Sequence, residues 1–193
     1  GLLETVGEGT IFLDEVTTLS LSLQAKLLRV IQEREFTPVG SHKSKKFSAR
    51  IVSASSTSLV DAVTAGTFRE DLLYRLGVIT LSLPALRERK SDKTRLALYF
   101  LDQISSNELK NLGREQCYFS PQALDFIESY TWPGNVRQLR NVIMGTLVMS
   151  SNQEISVEEL SAQINEARVA AGGIAPATTE LPEPVSRANV VPL

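Results

Sequence analysis

The chain has 193 residues, 42% of them hydrophobic and 22% charged, a composition that supports one or two globular units with a real core. A formal charge of −2 and a pI near 5.6 give no whole-chain support for a nucleic-acid-binding surface, and a single cysteine, Cys117, excludes an internal disulfide or a cysteine metal cluster. His42 is the one histidine, which argues against a histidine-based metal site or a catalytic triad; no apolar run approaches the ~20 residues that span a bilayer, and no export signal opens the chain, so a cytoplasmic location is expected.

Taken in chain order, Ile11, Phe12 and Leu13 read as a buried central strand of a parallel sheet, closed abruptly by Asp14 and Glu15. Open α/β sheets bind ligands at the carboxyl ends of their strands. Two adjacent acids there suit a division of labour in which Asp14 holds Mg²⁺ through its water shell and Glu15 orients an attacking water. An apolar run ending in Asp-Glu also occurs at ordinary strand-to-helix turns, so the pair gains its weight from the segments downstream of it.

Leu23, Leu27, Val30 and Ile31 recur at helical spacing, with Gln24, Lys26, Arg29 and Glu33 between them, and predict an amphipathic helix packed on a sheet. His42, Lys43, Lys45 and Lys46 form a polar, basic loop. Residues 50–54 read as the next buried strand, with Ser55 and Ser56 at its end beside the acids. A helix over 68–76 and a third strand over 78–83, closed by Pro84, complete an alternating pattern that predicts a parallel sheet.

Beyond Arg89 the strand signals stop. Leu96, Phe100 and Ile104 share a helical face, Ser120 and Pro121 form a helix start, and Asn135 is expected to cap a helix bearing Leu139, Ile143 and Leu147. Ser156 and Glu159 form a capping box, with Ile155 and Leu160 as its hydrophobic staple, ahead of a helix running to about Arg168. From Ala170 the chain turns to Ala, Gly, Thr and Pro, and residues 169–193 are expected to be a flexible linker.

Four segments appear in order: the acid-tipped strand; Phe68-Arg69-Glu70-Asp71-Leu72-Leu73-Tyr74-Arg75-Leu76; Leu83-Pro84-Ala85-Leu86-Arg87-Glu88-Arg89; and Trp132-Pro133-Gly134-Asn135-Val136-Arg137. Together they resemble the AAA+ ATPase domain of bacterial sigma-54-dependent transcriptional activators, the enhancer-binding proteins, over about residues 9–149. The resemblance implies an α/β fold class, a partial AAA+ parallel-sheet sandwich over 1–89 followed by an all-helical lid over 90–168. It also implies ATP and Mg²⁺ as cofactors, with Asp14 as the metal-holding acid and Glu15 as the water-polarising one. Arg69 and Arg75 match the arginine-finger region, one reaching a neighbouring protomer's phosphate and the other bracing the interface. Arg137 matches the second sensor, which reaches the nucleotide from the lid. Ser55 and Ser56 stand where the family has a Thr-Asn first sensor, so a hydroxyl is kept and an amide is lost; they are equally readable as polar residues closing a strand. Arg87 and Arg89 fall at the expected junction of sheet and lid, and Lys93 stands where the family commonly has isoleucine.

By resemblance the protein is part of a hexameric ATPase that remodels the closed sigma-54 RNA polymerase complex, with enhancer DNA bound by a segment outside this chain. The sequence holds no glycine-rich loop ending in Gly-Lys-Ser/Thr, so the phosphate-binding loop and the sigma-54-contacting loop are expected upstream of Gly1. The polypeptide by itself is expected to turn over no ATP. The alternative is a non-hydrolysing AAA+ relic acting as an assembly module in transcriptional regulation; the arginine and Trp-Pro-Gly-Asn signatures speak against other AAA+ machines.

Overall fold

A computed structural model of the chain describes residues 1–89, 91–106 and 117–170. It divides into two compact units, Gly1–Ser82 and a second beginning at Leu83.

The first unit opens with a single helical turn, α1 (Leu2–Thr5), and strand β1 (Thr10–Leu13). A 3₁₀ turn (Val16–Thr18) leads into helix α2 (Leu21–Glu33), which begins where Ser20 accepts the Leu23 N–H at 3.4 Å. Two short strands, β2 (Glu35–Phe36) and β3 (Lys45–Lys46), pair antiparallel, and β4 (Arg50–Ser53) runs parallel to β1 in the register Thr10 to Arg50 through Leu13 to Ser53. Helices α3 (Leu59–Thr64) and α4 (Glu70–Leu76) complete the unit. Strand alternation decides which side is covered: Ile11 and Ile51 pack on Val30, Phe47 and Ala49, whereas Phe12 and Val52 face the other way and are exposed. The expectation that all of residues 11–13 are buried therefore fails at Phe12, which is 60% exposed. A second apolar cluster, Val16, Leu28, Phe68 and Leu72, packs the 3₁₀ turn and the middle of α2 against α4 and the residues before it.

Two expectations for this unit are corrected. Residues 78–83 form no strand: a strand is defined by ladder partners, and no described strand pairs with this segment, so Val78, Ile79, Leu81 and Leu83 stand about four-fifths exposed. On α2 the buried stripe is displaced from the expected one. Leu23 is half exposed, whereas Gln24, assigned to the polar face, is fully buried beside Leu28. Its amide is satisfied by three main-chain groups, which removes the usual penalty for burying it.

The second unit holds a 3₁₀ turn (Leu86–Glu88) and helices α5 (Asp92–Ile104), α6 (Pro121–Ser129), α7 (Asn135–Met149) and α8 (Val157–Ala170). It is not wholly helical, because β5 (Tyr118–Phe119) and β6 (Glu154–Ile155) form a two-residue parallel ladder. Ala97, Leu101, Ile127, Trp132, Leu139, Ile143, Leu147 and Leu160 make its core, and Leu86 joins them, so the turn at 86–88 lies with this unit rather than with the sheet. Two of the predicted helix starts hold. Ser120 caps α6 with Pro121 in its first turn, and Ser156 and Glu159 exchange capping-box bonds of 3.3 and 2.9 Å, with Ile155 and Leu160 buried beneath them. Beyond Ala170 the expected linker lies outside the described residues.

Candidate functional site

Asp14 and Glu15 emerge at the carboxyl end of β1, beside the loop that leaves β4. The ladder continues past the strand ends, as Ala54 N–H donates to Leu13 O at 2.8 Å and Val16 N–H donates to Ala54 O at 3.0 Å. Between these bonds Glu15 adopts the left-handed region, φ 49° and ψ 52°, which turns its side chain across the gap toward β4. Its Oε2 accepts the Ser56 main-chain N–H at 3.1 Å and the Ser56 hydroxyl at 2.9 Å. These two bonds, the main-chain one first, hold the Glu15 carboxyl below the usual glutamate range. Thr18 fixes the other side, donating from Oγ1 to Glu15 O at 2.8 Å and from its N–H at 2.9 Å.

The loss of the amide at position 56 therefore does not leave Glu15 untethered, because Ser56 supplies both a main-chain and a side-chain donor. Ser55 is engaged differently: its hydroxyl donates to Thr57 O at 2.8 Å and lies 3.1 Å from the Thr17 hydroxyl, which ties the loop after the acids to the loop after β4. Asp14 is exposed, and its Oδ1 accepts only the neighbouring Glu15 N–H, at 3.1 Å, among the described residues. An exposed carboxylate with an uncommitted oxygen at a strand tip fits a hard cation that keeps most of its waters. Among the described residues no cluster of three or more His, Cys, Asp or Glu forms an all-protein metal cage.

The two arginines lie at opposite ends of α4. Arg69 is not helical but is the extended residue before it, with φ −79° and ψ 132°, and Arg75 is in the last turn. The helix expected over 68–76 therefore starts two residues later, at Glu70, and leaves Arg69 outside it. Arg69 forms a bidentate pair with Asp71, at 3.0 and 2.7 Å, which raises the arginine and lowers the aspartate in pKa. Arg75 is exposed on the same helix.

In the second unit, Arg137 is exposed in the first turn of α7, and the segment that leads from α6 into that turn is held at Tyr130, Trp132 and Asn135. At the end of α6, Trp132 Nε1 donates to Ile127 O at 2.9 Å, and the buried Lys93 Nζ donates to Glu128 O and Tyr130 O at 2.5 and 2.9 Å. Asn135 does not cap its helix as expected; Gly134 is the cap residue, and Asn135 Oδ1 accepts the Leu86 N–H at 2.8 Å. Of the two arginines at 87 and 89, Arg87 pairs with Glu88 at 3.1 Å and Arg89 donates to Pro84 O at 3.0 Å. Gln24 and Lys93 are the residues whose roles sequence reasoning missed. The only signal for Gln24 was a polar side chain flanked by apolar ones at helical spacing, which reads first as a boundary of the solvent face.

Two protein families match the chain in tandem, the Sigma-54 interaction domain over residues 1–82 and the AAA+ ATPase lid domain over residues 87–175. Regulatory protein AtoC of Escherichia coli is 44% identical over 174 residues, 90% of this chain and 37% of AtoC. Regulatory protein LuxO of Vibrio vulnificus is 41% identical over the whole chain, which is 41% of LuxO. The chain thus spans less than half the length of these relatives. The solved structure of NtrX from Brucella abortus in complex with ATP superposes with a TM-score of 0.77 at 32% identity, over 89% of this chain and 42% of NtrX. No helix among the described residues is long and apolar enough to cross a membrane. The chain belongs to the AAA+ ATPase family that carries the sigma-54 interaction domain.

Proposed function

We propose that this chain is part of an ATP-hydrolysing transcription activator that remodels the closed complex of sigma-54 RNA polymerase, working as a hexamer with nucleotide at the subunit interface and enhancer DNA held by a segment outside it. The observation that carries the reading is the placement of Asp14 and Glu15 at the tip of a parallel strand, with Glu15 tied to the neighbouring strand's loop by Ser56. The likeness to NtrX in complex with ATP supports ATP as the nucleotide, and the sigma-54 interaction domain supports the polymerase as the partner.

Asp14 would hold Mg²⁺, which on ATP neutralises charge on the β- and γ-phosphates. Glu15 has Oε2 committed to Ser56, so Oε1 is left to accept a hydrogen bond from a water and aim it at the terminal phosphate. A carboxyl held below its usual range is ionised at neutral pH, which suits an orienting acceptor. Ser55 and Ser56 line the phosphate side of the site. Arg69 and Arg75 act in trans, one on the transferring phosphoryl group and the other on the interface, and Arg137 contacts the nucleotide from the lid. Arg69 has to leave Asp71 to do so, a modest cost for an exposed pair.

A non-hydrolysing relic is the competing reading, and Ser55-Ser56 in place of Thr-Asn is the observation in its favour. The Ser56 bonds to Glu15 weaken that argument. The test is Glu15→Ala in the full-length protein, with ATP binding and steady-state phosphate release measured on the same preparation. Binding is expected to persist while turnover is lost; undiminished turnover removes Glu15 from its role, and a wild-type protein that binds without hydrolysing establishes the relic.

A further inference from the structure

Gln24 is the one fully buried polar residue among the described residues of the first unit, and every hydrogen-bonding group of its side chain is used. Nε2 donates to Leu19 O at 2.8 Å and to Thr67 O at 2.9 Å, and Oε1 accepts the Arg69 N–H at 2.9 Å. None of these partners is a side chain, so the amide reads backbone position alone. Leu19 follows directly on the 3₁₀ turn that leaves Asp14 and Glu15, and Arg69 is the residue from which α4 starts. Phe68, between the two α4-side partners, is buried against Val16, Leu28 and Leu72, so the strap is set in a rigid core. A leucine or methionine here fills the volume equally well and leaves two carbonyls and one N–H unpaired.

We propose that Gln24 is a positioning residue for the arginine that acts on the neighbouring protomer: it fixes the backbone at Arg69 and ties it to the loop carrying the protomer's own Asp14-Glu15 pair. The proposal rests on the assignment of Arg69 to a trans role. It adds that the arginine's placement is set from the acid loop through one buried amide, so the two ends of a protomer's catalytic contribution, one in cis and one in trans, share a single internal strap. Without the strap the α4 start drifts, and a displacement of about 1 Å of a reacting or charge-stabilising group lowers turnover by on the order of 10²-fold.

The test uses the full-length, assembled protein. Gln24→Met is expected to lower kcat by on the order of 10²-fold while leaving the KM for ATP within about twofold. The decisive measurement is subunit mixing. Gln24→Met protomers keep their own acids and offer a misplaced Arg69; Glu15→Gln protomers have a dead site and offer a correct Arg69. Mixed oligomers are expected to regain turnover that neither variant has alone, as a mixture of Arg69→Ala with Glu15→Gln does. Complementation by Arg69→Ala but not by Gln24→Met overturns the proposal, because Gln24 then acts in cis or only on folding. Full turnover in Arg69→Ala alone instead overturns the trans reading beneath it. Should Gln24→Met fail to assemble, Gln24→Asn, which keeps an amide on a stem one methylene shorter, carries the same mixing test with a smaller loss expected; wild-type turnover in it, or a loss that Glu15→Gln protomers do not restore, overturns the strap equally.

Discussion

Replacing Lys93 by methionine removes the device that finishes α6 and begins the approach to Arg137. The last carbonyls of any helix lack intrahelical partners, and α6 meets that need from outside: Trp132 takes Ile127 O, and the Lys93 ammonium takes Glu128 O and Tyr130 O at 2.5 and 2.9 Å. A positive charge at a helix carboxyl end is also favoured by the peptide dipoles. Methionine keeps the apolar stem and its packing but loses both bonds, each worth about 1.5–3 kcal/mol to a charged donor. Against this stands the cost of burying the ammonium, which is 7% exposed as a residue and which the variant no longer has to desolvate. The net is a loss of about 2 kcal/mol from the lid, or about 8–16 °C in the unfolding midpoint of a domain of this size. Trp132 is the sole tryptophan, fully buried and edge-on to Tyr130 with ring centroids 5.0 Å apart, so its emission follows the lid and not the sheet. Thermal unfolding of the wild type and Lys93→Met, read by tryptophan fluorescence, gives the comparison. A variant midpoint equal to or above the wild type refutes the reasoning, since it means that the released desolvation cost outweighs both bonds.

The other predictions concern single hydrogen bonds. In the full-length protein, Ser56→Val is expected to lower kcat several-fold with little change in ATP affinity, and Ser56→Thr, of the same shape with a hydroxyl, to restore it; equal rates for Val and Thr variants would show that the hydroxyl does not matter. Ser156→Ala removes half of a capping box at the start of α8 and should cost about 1 kcal/mol in denaturant-induced unfolding, with an unchanged midpoint counting against the cap. Glu128 is held below the usual glutamate range, first by the Thr94 hydroxyl at 2.9 Å. A depressed carboxylate contributes stability that is present above its ordinary pKa and lost as pH falls through its folded value, so Thr94→Val should move the Glu128 NMR titration to higher pH and weaken the lid's stability above the ordinary glutamate range; an unmoved titration contradicts the assignment.

What could be read from the chain alone was whatever is decided within a few residues. The acid pair at a strand tip, the Ser156-Glu159 box and the Ser120-Pro121 start are local patterns, and all three stand where they were expected. What could not be read is decided across distance. Gln24 looks like the edge of a solvent face until Leu19, Thr67 and Arg69 converge on it. Asn135 has the composition of a helix cap, but its oxygen goes to Leu86, 49 residues earlier. Residues 78–83 have strand composition, and composition cannot provide the neighbour that makes a strand.

The left-handed backbone at Glu15 sets two consecutive acids in different surroundings. On a continuing strand, neighbours point to opposite faces, and only one of the two would stay at the strand tip near a ligand. Turning Glu15 to φ 49° costs about 1–2 kcal/mol for a residue with a Cβ. The cost is offset locally, because Thr18 donates twice to the Glu15 carbonyl and Ser56 donates twice to its carboxylate. The result keeps Asp14 at the open tip, with an oxygen available to a cation, and swings Glu15 sideways against β4, with one oxygen anchored and one available to water. Metal holding requires a carboxylate reachable from bulk solvent, and water orientation requires one whose direction is fixed. A single strained residue between two ladder bonds supplies the geometry that both of these proposed roles need.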